Sequence, residues 1–412
     1  MGGLSTELWV AILTVGAVIV GVWAYGGFRM REPAPKAATW SQIAVELGLE
    51  RREGRRHAGT IDGFEVVVSF ERSKSDGPSL HLEISGVLPA WLSMWPRHAR
   101  AELETSGMGE VLEVGDPVFD EAFEVRGEER EVLATLDANT RAVLRGATNT
   151  DWILDRGVWR RTLHGVSGAD LEQALDQGLA IVRALRGNDE VEVWGRERAV
   201  QAIARLSSRD PVLGVRQRAL AWLLAHERVH PATRAALEAV CGDRDAGLQL
   251  IAARELGHLG TLARLAEVAS ESLRLEALEH LVRYAPEDPL TLQTLERTLR
   301  KTHEVDRPLR EAALSLIEEL ALPGFEATLI ALLDEHDDDL RVRVMRALGR
   351  VGSLKAVAAL VPFRELIVGF SLKDTAKEAI FEIQARLGGP EHGSLSLADG
   401  GGELALVEPA SD

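Results

Sequence analysis

Leu340-Arg341-Val342-Arg343-Val344-Met345 and Leu309-Arg310-Glu311-Ala312-Ala313-Leu314 share one pattern: a basic or polar first turn, then apolar residues at helical spacing. The same phrase stands at Val215-Arg216-Gln217-Arg218-Ala219-Leu220, Leu248-Gln249-Leu250-Ile251-Ala252-Ala253 and Leu273-Arg274-Leu275-Glu276-Ala277-Leu278, with a weaker copy from Thr375. First residue to first residue, the steps are 33, 25, 36, 31 and 35. A period in this range marks helical units stacked into a solenoid. Each unit exposes apolar surface that only its neighbours can cover, and the extended surfaces of such arrays mostly bind.

Punctuation around the phrases predicts pairs of helices. Pro231, Pro289 and Pro323 sit where second helices begin, a position where the missing N–H costs nothing. Asp337 to Asp339 cap a helix start, Gly349 and Gly352 end that helix, and Ser353 to Phe363 forms the second of the pair. The 25-residue step predicts a short second helix around Thr261 to Ser270, and Arg198 to Leu206 reads as an irregular capping helix. These phrases resemble HEAT repeats of the short bacterial type, best in the run Asp337 to Gly352. The resemblance spans 194–388 and implies an all-α solenoid whose second helices line a concave groove for a protein or peptide partner. The groove segments would be Ala232 to Cys241, Leu290 to Lys301, Phe325 to Leu333 and Leu354 to Phe363, with Arg234, Gln293, Arg297 and Glu326 as exposed contact positions.

Upstream, Pro33 and Pro35 mark a linker over 29–38, and 39–187 reads as a small α+β domain. Trp40 to Leu49 has helical spacing, Gly59 to Phe70 alternates like a strand, and Leu80 to Ile84 suggests its partner, with turns at Gly63 and Ser73 to Pro78. Glu113 to Val125 reads as extended and turn-rich, Glu128 to Leu144 as helical, Trp152 to Leu163 as strand-like and Ala169 to Leu185 as an amphipathic helix. Through the run Gly115 to Val125 this stretch resembles an uncharacterised family of membrane-associated bacterial domains, which implies a fold and no activity. Asp116 and Asp120 invite a reading as a carboxylate pair, but Asp-Pro also makes an ordinary turn and no histidine converges on them. Trp91 and Trp95 fit core packing or a surface patch near the bilayer better than a ligand shelf or a second membrane-contacting edge.

Leu8 to Phe28 carries no charge over 21 residues, and at about 1.5 Å per residue that length matches a bilayer core. Arg29, Arg31 and Lys36 follow it, and basic flanks stay cytoplasmic. The expectation is a single transmembrane helix over 8–28 in a bacterial inner membrane, with the N-terminus outside, the bulk of the chain cytoplasmic and the lipid bilayer as one partner. Only six of 47 basic residues are lysine, which with abundant Ala, Leu, Gly and Arg suggests a high-GC bacterial genome. Formal charge is 47 minus 64, or −17, which argues against nucleic acid as a partner. Cys241 is the only cysteine, so no internal disulfide forms, and it reads as a small buried thiol. The Gly-rich segment 389–412 reads as a disordered tail in which Gly393 to Asp399 is echoed by Gly402 to Glu408.

Two stretches imitate chemistry. His226-Glu227-Arg228-Val229-His230 satisfies H-E-x-x-H, the helical spacing that aims two imidazoles at zinc with the glutamate as base. Against it stand the charged Arg228 and Pro231, which disfavours helix at His230. The acidic run Asp334 to Asp339 lacks the glycine and terminal glutamate of a calcium loop. The resulting reading is a multidomain chain of transmembrane helix, α+β domain and HEAT-like solenoid, acting as a membrane-anchored adaptor with no catalytic role and no cofactor. The alternative is a membrane-anchored zinc hydrolase using His226, Glu227 and His230. A lyase-like or cofactor-handling repeat protein stands third, since fold does not decide function.

Overall fold

The computed structural model describes residues 39–388 except 74–76, 87–91, 103–109, 149, 165–167, 187–194, 302 and 366–369, and again 396–397 and 404–405. The chain divides into two compact units, Met1–Ile203 with Asp210–Arg218 and Ala204–Arg209 with Ala219–Asp412. The first holds a nine-stranded antiparallel sheet and the second is built of helices apart from a two-stranded pair near the C-terminus.

Among the described residues no helix is long and apolar enough to cross a membrane. The physical reason is visible in the longest of them, Gly168–Arg186, which buries Leu171, Leu175, Ile181, Val182 and Leu185 while Glu172, Asp176 and Arg183 sit along it. Such helices face a core on one side and water on the other. The transmembrane component of the expected fold is therefore corrected, and with it the inner-membrane placement. The expected span, Leu8 to Phe28, lies outside the described residues, as do the linker and Trp91.

In the first unit the strands are β1 (Glu50–Arg52), β2 (Arg56–Ile61), β3 (Phe64–Ser73), β4 (Gly77–Ser85), β5 (Ser93–Pro96), β6 (Val111–Leu112), β7 (Phe123–Arg126), β8 (Ile153–Asp155) and β9 (Val158–His164). Their order across the sheet is β1-β2-β3-β4-β9-β8-β5-β7-β6. The alternating stretch from Gly59 to Phe70 is a hairpin rather than one strand, because Asp62 (φ 53°) and Gly63 (φ 80°) form the two-residue loop that suits strand twist. Period-two alternation then buries Phe64, Val66, Val68, Leu80, Leu82 and Ile84, which join the core of helix Gly168–Arg186. Trp95 lies in the same unit, fully buried.

The run Glu113 to Val125 departs from its extended reading. Asp116 accepts a hydrogen bond from the Phe119 amide at 3.3 Å, Pro117 supplies a helical φ, and Pro117–Ala122 becomes a helix before β7. Gly115 (φ 89°) is required for a second reason, since a Cβ there would stand 2.5 Å from the Gly214 carbonyl oxygen.

Arg141, on helix Ala138–Gly146, lies at the centre of this region. Its Nε donates to Asp116 at 2.9 Å, one terminal nitrogen to Asp210 at 2.9 and 3.1 Å, and the other to the Leu136 carbonyl at 2.8 Å. Arg141 and both carboxylates are almost wholly out of water. Burial pulls the guanidinium pKa down, but Asp210 and then Asp116 outweigh it, so the group is held above its ordinary value.

The second unit stacks helix pairs: Ala246–Leu256 with Leu259–Val268, Glu271–Tyr284 with Pro289–Leu299, Arg307–Leu320 with Glu326–Leu332, and Asp338–Val351 with Leu354–Arg364, closed by Phe370–Leu387. A continuous core runs through them from Leu250 to Ile383. Ahead of them, helix Leu213–His226 leads into Pro231–Val240. The short 25-residue step has a different cause from the expected one. Leu259–Val268 is as long as Pro231–Val240, but the chain reverses at Gly257 (φ 65°) and His258 caps the next helix at once. Pro323 also departs from expectation, lying in a turn ahead of Glu326–Leu332 that Ala321 (φ 49°) and Gly324 (φ 94°) open. Arg196–Arg209 forms a regular helix, and the echoed tail segments pair with each other, Ser396 opposite Ala405 and Leu397 opposite Leu404.

Removing the buried cation alone strands two carboxylates, so Arg141→Met should cost about 3–5 kcal/mol, read as a lower urea midpoint at unchanged slope. Adding Asp116→Asn and Asp210→Asn should recover part of that loss. Asn keeps the helix cap while the uncompensated charges disappear.

Candidate functional site

The H-E-x-x-H stretch is split by secondary structure. Helix Leu213–His226 ends at its first histidine, and His230 is the cap of the next helix, Pro231–Val240. His226 stacks on Trp222 at 4.9 Å and its Nδ1–H donates to the Trp222 carbonyl at 3.0 Å, while His230 Nδ1 accepts from the Ala232 amide at 3.1 Å. Thr233 donates to the Glu227 carbonyl at 2.7 Å, and Arg228 reaches Glu255 at 2.5 Å. The two imidazoles therefore do not share a helix face, which is what the zinc motif needs. Among the described residues no group of three or more His, Cys, Asp or Glu is arranged to hold a metal.

Asp116 and Asp120 likewise have structural duties. Asp116 is committed to Arg141 and to its helix cap, and Asp120 accepts from the Val114 and Gly115 amides at 2.9 Å each. Burial pushes the Asp120 carboxyl above its ordinary value despite those two bonds. Its geometry shapes the Gly115-Asp116-Pro117 turn. In the acidic run, Asp337 caps Asp338–Val351 by accepting from the Asp339 and Leu340 amides, and Arg307 lies 3.3 Å from Asp337 and 3.6 Å from Asp339.

The expected groove positions fall into two kinds. Arg234 on Pro231–Val240 and Gln293 and Arg297 on Pro289–Leu299 are exposed, with Arg234 meeting Glu238 at 3.3 Å and Arg297 meeting Glu267 at 2.7 Å. Glu326 differs. Its carboxylate accepts from the Ser353 amide at 2.6 Å, the Ser353 hydroxyl at 2.7 Å and the Ala356 amide at 3.1 Å, closing the start of Leu354–Arg364. Burial alone pushes its pKa up, but these bonds win and hold it below the ordinary 4.5. Position in sequence did not separate it from the other three, because its acceptors' partner lies 27 residues on.

In three copies of the repeat phrase the basic residue in the second place has a duty that the sequence did not name. Arg274 donates to Asp306 at 2.7 Å, Arg310 to Glu335, and Arg341 to the Leu333 carbonyl at 3.1 Å. In each case a first-turn arginine fastens an adjoining inter-repeat segment. First helices are further linked by Arg283 with Glu319 at 3.0 Å and Arg343 with Glu311 at 3.4 Å. Cys241 is half-buried, and burial pushes its thiol up, away from the thiolate that reactive cysteines need.

No family model matches the chain, and neither does any curated protein. Among solved structures it is similar to an engineered protein at 16% identity, over 47% of this chain and 95% of that one, with a TM-score of 0.25. A likeness that slight carries no argument.

Glu326→Ala should cost about 1 kcal/mol, the usual effect of losing a helix-capping acceptor, measured by denaturant midpoint. Because the Glu326 pKa is depressed in the folded chain, its stabilisation is present above the unfolded value near 4.5 and is lost as pH falls through the folded one. The acid limb of the stability curve should therefore be shallower in Glu326→Gln than in the parent.

Proposed function

We propose that the helical repeats, read as HEAT-type units from their phrase and period, act as a binding scaffold for a protein or peptide partner engaged through the second helices. One observation carries this reading. Helices Pro231–Val240, Leu259–Val268 and Pro289–Leu299 bury equivalent faces, through Ala236, Leu237 and Val240, through Leu262, Leu265 and Ala266, and through Leu295, Thr298 and Leu299. Their opposite faces are left to Arg234, Glu238, Glu267, Gln293 and Arg297, so the repeat displays donors and carboxylates on successive helices.

Energetics favour exchange at these positions. An exposed Arg–Glu pair contributes only about 0.2–1 kcal/mol, so a partner's carboxylate or carbonyl replaces it at small cost. The repeat arginines Arg274 and Arg310, by contrast, are nearly buried and are held by their own chain. Glu326 drops out of the contact set for the same reason, since moving it uncaps a helix. The metallohydrolase alternative draws no support from the imidazole geometry, because His226 ends one helix and His230 starts the next.

Simultaneous substitution of Arg234, Gln293 and Arg297 by alanine tests the proposal. Surface changes of this kind shift stability by about 0.5 kcal/mol or less each, so circular dichroism and melting should stay close to the parent. Proteins retained by the immobilised full chain should be lost or strongly depleted with the triple variant while Glu326→Ala still retains them. Equal retention by the triple variant would overturn the assignment of this face.

A further inference from the structure

The first unit contains a polar cavity of about 350 Å³ where β9 and the loop before β8 meet helix Gly168–Arg186. It is independent of the repeat faces and of the Asp116–Arg141–Asp210 cluster. Ligand sites span about 300–1,000 Å³, so this one suits a small molecule.

Its charge layout is specific. Arg161 rises from β9 with its guanidinium 5.9 Å from the centre of the Trp152 ring, and it donates to the Gln177 amide oxygen at 3.0 Å. Among the described residues its printed contacts are with Gln177 and the Trp152 ring, and it makes no ion pair. Burial pulls its pKa down, and the charges of Asp151 and Asp170 offset part of that effect. Those two carboxylates line the same cavity, with Asp151 largely exposed and 3.2 Å from His98 Nε2. Gln173 and Gln177, one helical turn apart, add amide donors and acceptors to the wall.

Charge selects among ligands. A simple anion that approaches Arg161 is repelled by two carboxylates, and a polyanion such as a nucleotide is repelled more strongly. A simple cation meets the guanidinium. A molecule carrying a carboxylate and an ammonium a few ångströms apart satisfies both, with the carboxylate taking the fork-shaped donor set of arginine. We propose that this cavity binds a small zwitterion of the α-amino acid class, its carboxylate on Arg161 and its ammonium toward Asp151 and Asp170.

The test is isothermal titration of the full chain at neutral pH with each of the common free α-amino acids, followed by the N-acetyl and carboxamide derivatives of any that bind. At least one free amino acid should bind with a dissociation constant of about 1 mM or tighter. Loss of either ligand charge should weaken it about tenfold or more, in line with charge-assisted hydrogen bonds being worth roughly 1.5–3 kcal/mol. Arg161→Gln should abolish binding. Asp151→Asn, at an exposed position that leaves folding intact, should weaken the free amino acid while leaving the N-acetyl derivative unchanged. The proposal is overturned if no amino acid binds, if the N-acetyl derivative binds as tightly as its parent, or if Asp151→Asn leaves the preference for the free form untouched.

Discussion

A guanidinium leaves water only when acceptors go with it, and much of this molecule is arranged around that requirement. Desolvating an ion costs several kcal/mol even after relaxation, so a buried arginine must be met by carboxylates or carbonyls in good geometry. Arg141 is met by Asp116, Asp210 and the Leu136 carbonyl, which brings together three stretches of the first unit that are distant in sequence. Asp116 performs two tasks at once, capping Pro117–Ala122 and accepting from Arg141. Any rearrangement of that turn would also expose or strand the charge.

The same rule operates at lower burial in the repeats. Arg274 and Arg310 each leave a helix's first turn to meet an acidic residue of an inter-repeat segment. Apolar packing between helices is non-directional and tolerates sliding, whereas an arginine–carboxylate contact has a preferred geometry. The continuous core from Leu250 to Ile383 supplies cohesion, and the arginine contacts set how each turn leads into the next pair.

Residues that looked like chemistry in sequence mostly turned out to be termini. His230, Asp116 and Asp337 all accept hydrogen bonds from the free amides at helix starts. A chain with this many short helices has many unsatisfied N–H groups, and the residue types that satisfy them are the ones that metal and acid–base motifs also use. The coincidence is sharpest at His226 to His230, where a helix end and a helix start together spell a zinc motif. At Arg161 the inverse holds. No motif marks it, and only the fold places it in a cavity with Asp151 and Asp170, where among the described residues it makes no ion pair.

Sequence alone determined the elements whose cause is local. The repeat phrase, its period, the prolines at 231 and 289 and the turn at Gly63 follow from helical spacing and backbone freedom within a few residues, and the structure has a helix at each phrase, although Gly349 lies inside its helix rather than ending it. Tertiary structure decided everything that depends on partners far along the chain. Asp116 and Arg141 are 25 residues apart, Arg141 and Asp210 are 69, and Glu326 and Ser353 are 27. No local rule distinguishes Glu326, which caps a distant helix, from Arg297, which faces water. The anchor reading rested on hydropathy in residues outside the described ones, and the longest helix that the structure does describe buries an apolar face and carries charges along it. Spacing carries information about the near neighbours that a backbone period brings together. The side chain that meets another across a core is chosen by packing and by the cost of leaving a charge unpaired, and both are properties of the folded whole.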